Sequence, residues 1–80
     1  MKIKVIAFGI AKDILQARET EMVLQEASTI KDLKAALFKQ YPDFKALASL
    51  SFAVDEHYQD DYFLLSDAQE VVIIPPVAGG

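Results

Sequence analysis

Four of the five residues in Glu70-Val71-Val72-Ile73-Ile74 are β-branched, and Pro75-Pro76 follows at once. Branched side chains are stiff in a helix and pack well on a pleated surface, so the run predicts a strand. Apolar residues on both of its faces suit the interior of a sheet. Tandem prolines supply no N–H groups and fix φ, so they end the strand and hold the adjoining residues extended. The chain then runs out through Val77-Ala78-Gly79-Gly80. A fold must therefore supply sheet neighbours for a central last strand.

The rest of the chain offers such neighbours. Lys2 to Phe8 reads as a strand, with Ile3, Val5 and Ala7 on one face and Lys2, Lys4, Ile6 and Phe8 on the other. Gly9 is read as its end. Ala11 to Gln16 is a loop or a short helical turn, and Glu21 to Gln25 a second short strand, paired as a hairpin with the first. Thr29 to Tyr41 is the clearest helix. Thr29 with Asp32 fits a capping box, with Ser28 as an alternative cap. Ile30, Leu33, Leu37 and Tyr41 recur at helical spacing, and Pro42 stops the run. Asp43 to Leu50 stays ambiguous, with Phe44 and Leu47 able to pin it to the core. Leu50 to Val54 is a third strand, Asp55-Glu56-His57 a polar turn, and Tyr58 to Leu65 a short strand or a covered loop. Asp67 to Gln69 is another turn.

That order implies an α+β fold, a mixed sheet with one main helix packed on one face. A β-grasp, with its first and last strands parallel in mid-sheet, accommodates it. Eighty residues imply one domain, 1–76, followed by a tail, 77–80. With no cysteine there is neither a disulfide nor a thiolate nucleophile. The start of the chain alternates charged and apolar residues, unlike a signal peptide, and no apolar run is long enough to span a membrane. The expected setting is cytoplasmic. Eight scattered basic residues against twelve acidic ones, a formal charge of −4, argue against nucleic acid as a partner.

No ordinary active site can be assembled. His57 lies in an acidic turn without further ligands at metal-binding spacing, so no metal is expected. Asp60-Asp61 reads as a solvated loop pair. No strand-to-helix glycine motif is present for phosphate. Phe38, Tyr41, Phe44, Phe52 and Phe63 read as core. No cofactor is expected to be bound.

The unusual feature is the tail. A frayed end is the ordinary explanation of terminal glycines. Here they follow a central strand and two prolines, with small residues only beyond. Glycine lacks Cβ, so such a backbone passes through a narrow channel and leaves its terminal carbonyl open to attack. A carboxylate is a poor electrophile until activated, most simply by adenylation with ATP. Sulfide could then displace the adenylate and leave a thiocarboxylate. In that chemistry Gly80 is a substrate carried on a protein, and the catalyst is another protein.

Over Val71 to Gly80, and above all in Pro75-Pro76-Val77-Ala78-Gly79-Gly80, the sequence resembles the small subunit of molybdopterin synthase, whose family ends in Pro-Pro-Val-x-Gly-Gly. Lys4 to Phe8, Thr29 to Leu33 and Ala53-Val54 extend the resemblance more loosely. It implies a ubiquitin-like β-grasp. It implies adenylation of Gly80 by a ubiquitin-activating-like adenylyltransferase that uses ATP, then sulfur carried as a thiocarboxylate. Two such carriers and two large subunits would form a heterotetramer that puts sulfur into a cyclic pyranopterin precursor. By position, Phe8, Tyr58 and Ile74 would face the large subunit, with Pro75, Pro76, Val77 and Ala78 leading Gly79 and Gly80 to its site. The family's Asp-Gly-Asp-Glu turn is here Asp67-Ala68-Gln69-Glu70; Ala68 disfavours positive φ, so a different turn type is expected.

Two other carriers of a Gly-Gly end stay open: a sulfur carrier of the thiamine type, and a ubiquitin-like modifier whose terminal glycine is joined to lysine. A binding module with an incidental tail is the third alternative.

Overall fold

The computed structural model describes residues 1–47 and 49–76. Five strands form one sheet among them: β1 (Lys2–Ala7), β2 (Glu19–Val23), β3 (Ser51–Val54), β4 (His57–Gln59) and β5 (Glu70–Ile74). Their order is β2-β1-β5-β3-β4. β1 and β5 run parallel at the centre, and the β1/β2, β3/β5 and β3/β4 pairs are antiparallel. This is the β-grasp expected from the order of elements, and the proline-terminated last strand is central.

Helix α1 spans Gly9–Leu15 and helix α2 spans Ile30–Gln40. Period-two alternation sends Ile3, Val5 and Ala7 of β1, Phe52 and Val54 of β3, and Val71 and Ile73 of β5 to the helix-bearing side, all buried. Ile30, Leu33 and Leu37 of α2 close over them, and Ala11 and Leu15 of α1 complete the same core. The 3-10 turn Pro42–Ala46 contributes Phe44, fully buried and set edge-on to Tyr41 at 6.2 Å between ring centres. A side chain of that size contributes roughly 1.5–3 kcal/mol when buried. This places Asp43 to Ala46, the first part of the ambiguous stretch after Pro42, in that turn.

The start of α2 has its free N–H groups met one by one. Ile30 and Lys31 donate to the carbonyls of Phe63 and Asp61, each at 3.0 Å. Asp32 N donates to Thr29 Oγ1 at 3.4 Å, and Asp32 Oδ2 accepts from Thr29 N at 2.8 Å, the expected capping box. Lys34 Nζ bonds Asp61 Oδ1 at 2.9 Å and stands 5.9 Å from the centre of the Phe52 ring. The segment after β4 is thus a loop that caps a helix, largely exposed up to the buried Leu65.

Three local expectations are corrected. Gly9 opens α1, and the first strand ends at Ala7; the loop or turn expected there is a two-turn helix ending in a left-handed Gln16. The second strand begins at Glu19 and stops at Val23, and Leu24 beyond it bonds Met1 O from its backbone at 2.9 Å. Ala68 does take positive φ, at 66°. The turn is held to β1 by Ala68 N to Lys2 O and Lys2 N to Asp67 Oδ1, both 2.8 Å, and by Lys4 N to Gln69 O at 3.0 Å. These bonds hold a conformation that alanine resists.

Candidate functional site

The side of the sheet away from the helices carries the other half of each alternation. Register fixes its rows. Ile6 pairs with Glu19 and with Val72, Val72 with Ala53, and Ala53 with Tyr58. One row therefore crosses all five strands as Glu19, Ile6, Val72, Ala53, Tyr58. All of them but Glu19 are apolar or aromatic. Phe8 and Ile74 follow Ala7 and Ile73, the last pair of the β1/β5 ladder, so both stand one residue further toward the end where the chain leaves the sheet.

Exposure separates this face from the core. Phe8 is 55% exposed and Tyr58 70%, while Val5, three residues before Phe8, is wholly buried. Ile6, Ala53, Val72 and Ile74 are half-buried, as is Pro75, and Pro76 is exposed. Apolar groups gathered on an open sheet face are a mark of association. The opposite end of the same face is charged. Lys4 lies between Glu19 at 3.7 Å and Glu70 at 3.8 Å, and Glu21 pairs with it across β2. The face is thus divided into an apolar half beside the exit of β5 and a charged half behind it.

Phe8, Tyr58, Ile74 and Pro75 fall in or beside the apolar half, with Pro76 at its margin. Tyr58 comes from the short strand β4. Val77, Ala78, Gly79 and Gly80 lie outside the described residues. Ala53 was not anticipated: a small residue carries little signal, and only register puts it between Val72 and Tyr58. Tyr62 and Leu64 are also exposed, at 80% and 61%, on the loop that caps α2.

The groups set aside in the sequence have local partners. His57 is exposed, with Nδ1 3.2 Å from Asp55 O. Asp60 Oδ1 accepts from Tyr62 N at 2.9 Å, while Asp61 pairs with Lys34, so the two adjacent carboxylates have separate partners. Among the described residues no three His, Asp or Glu side chains are grouped to hold a metal ion, and no helix is long and apolar enough to cross a membrane.

A molybdopterin synthase sulfur carrier subunit of Chlamydomonas reinhardtii is 30% identical to the chain over the full length of both. A solved structure described as a putative molybdopterin converting factor subunit 1 from Pyrococcus furiosus superposes with a TM-score of 0.88 at 27% identity, covering 96% of this chain and 99% of that one. A chain of a solved structure described as a protein-protein complex of subunits 1 and 2 of the molybdopterin-converting factor from Helicobacter pylori matches at a TM-score of 0.68 and 26% identity, with both chains covered in full. The ThiS family model matches residues 5–80, which takes in β5, both prolines and the glycine tail, and the chain belongs to that family.

Proposed function

We propose that this chain is the sulfur-carrying small subunit of a molybdopterin synthase, with the carboxylate of Gly80 as its working group. An adenylyltransferase joins that carboxylate to AMP and releases pyrophosphate from ATP. Sulfide attacks the activated carbonyl, the bond from that carbonyl to the AMP phosphate oxygen breaks, AMP leaves, and a thiocarboxylate remains. The thiocarboxylate sulfur bonds to a carbon of a cyclic pyranopterin precursor and displaces an oxygen leaving group there; water then cleaves the resulting thioester, which leaves the sulfur on the precursor and restores the carboxylate. The chain supplies no catalyst in this scheme; it carries the reacting group, in the cytoplasm.

Delivery is the task assigned to the fold. Phe8, Tyr58 and Ile74, with Ile6, Val72 and Ala53 between them, dock on a large subunit. Pro75 and Pro76 leave the central strand beside that contact and direct Val77, Ala78, Gly79 and Gly80 into the partner's site. Two carriers serve two large subunits. The observation that carries this reading is the full-length match to a curated sulfur carrier subunit, in a family model that runs through residue 80. The apolar half of the open face, at the end where β5 leaves, supports it independently.

A chain extended by one residue after Gly80 tests the proposal. The expected result is loss of sulfur transfer with unchanged thermal unfolding, because the terminal carboxylate is displaced and the core is not. Full transfer by the extended chain would rule the carrier reading out.

A further inference from the structure

The carboxylates behind the apolar half have no part in sulfur transfer itself. We propose that they receive an arginine or lysine side chain of the docking partner, and that this contact speeds association. The proposal rests on the reading of the open face as a docking surface and names the chemistry of the surface that covers it: apolar at its centre, with a cation at the border.

Val54 and Val71 are the last pair of the β3/β5 ladder at this end, so Asp55 and Glu70 leave it side by side. With Glu56 and Val72 they line a shallow concavity of about 450 Å³. Val72 also belongs to the apolar row, so the acidic border and the apolar half are one continuous surface. Asp55 and Glu56 form the two-residue turn between β3 and β4, with φ of 53° and 68°. Positive φ at both positions is the geometry of a type I′ hairpin turn, whose backbone is fixed by the two strands it joins. Lys4 takes up Glu70 and Glu19; Asp55 and Glu56 make no ion pair among the described residues.

An apolar floor with carboxylates around it suits one kind of side chain. The aliphatic stem of arginine or lysine lies on Val72 while its head group meets Asp55 and Glu56. A cation at the border of an interface acts mainly on the rate of encounter. The remaining groups of the charged half, Glu21 and the Glu19–Lys4–Glu70 chain, extend the same negative field along the face.

The test is the association rate of the full chain with its large subunit, measured by stopped flow at low and at near-physiological ionic strength. The double variant Asp55→Asn, Glu56→Gln keeps both side-chain shapes, and asparagine tolerates positive φ. It should associate about threefold to tenfold more slowly at low salt, with a weaker salt dependence and a nearly unchanged dissociation rate. The control Asp13→Asn, Asp43→Asn removes two charges from α1 and the 3-10 turn, on the helix-bearing side, where both residues are exposed. It should associate at close to the unaltered rate. Equal slowing by both double variants would reduce the effect to net charge and overturn the proposal. So would an unchanged rate in the Asp55/Glu56 variant while the unaltered chain binds. Failure of the unaltered chain to bind would remove the docking reading itself, and this proposal with it.

Discussion

Val5 and Phe8 lie three residues apart and face opposite sides of the sheet. Aspartate at Val5 would bury an unpaired charge between Thr20 and Val71, its two sheet neighbours, and should cost more than about 3 kcal/mol. Aspartate at Phe8 meets solvent instead. Phe8 is also the N-cap of α1 and makes no side-chain cap bond, a position where aspartate is a favoured residue. The free Phe8→Asp chain should therefore unfold within about 1 kcal/mol of the unaltered one, yet bind the large subunit poorly. Chemical unfolding and a binding titration on both variants check this. Equal destabilisation would put Phe8 in the core, and normal binding by a folded Phe8→Asp chain would move the docking site elsewhere. A second residue tests the cost of backbone strain. Ala68 holds φ at 66°, where its Cβ is crowded and glycine's absence of one is an advantage. Ala68→Gly should raise stability by up to about 1 kcal/mol, the relief of positive φ outweighing the entropy glycine adds to the unfolded chain. A loss of stability would mean that the turn bonds to β1 leave no strain to relieve.

Among the elements, α2 was the most legible from sequence and also shows why its cap matters little alone. Thr29, Asp32, the spacing of Ile30, Leu33 and Leu37, and Pro42 marked its two ends, and the observed helix spans Ile30–Gln40. The sequence did not disclose that the carbonyls of Phe63 and Asp61 would also satisfy Ile30 and Lys31, because those residues lie some thirty positions away. Thr29→Ala strips the long bond from Asp32 N and the hydroxyl's own 3.1 Å bond to Asp32 Oδ2, while the link from Thr29 N to Asp32 stays. Its cost should lie near the low end of capping losses, about 0.5–1 kcal/mol by chemical unfolding. A loss above about 2 kcal/mol would show that the hydroxyl does more than cap. The shorter elements were less legible for definable reasons. In β2 only Met22 is buried, so Leu24 drew the expected strand two residues too far. Helix α1 has seven residues, starts at a glycine with φ of 56° and lacks a side-chain cap, so it carries little local signal. Its place is fixed by Ala11 and Leu15 reaching the common core.

At the scale of the molecule, a buried layer lies between helices and sheet, the apolar half of the other sheet face is the docking surface proposed above, and the central strand β5 ends at the two prolines that precede the tail. The two sides were readable from alternation alone, which separated Ile3, Val5 and Ala7 from Ile6 and Phe8. The division of the open face into an apolar and a charged half was not, because it depends on which residues stand opposite across four strand pairs. The tail motif was legible by resemblance, and the family match extends over it. What Gly80 carries is the central claim. Intact-mass measurement of the chain purified from its native host, with its activating enzyme present, tests that claim most directly, followed by fragmentation to locate any change. The account predicts a gain equal to replacing one oxygen by one sulfur, confined to Gly80. A chain of unmodified mass under conditions that support molybdopterin synthesis, or a sulfur found on any other residue, would contradict it.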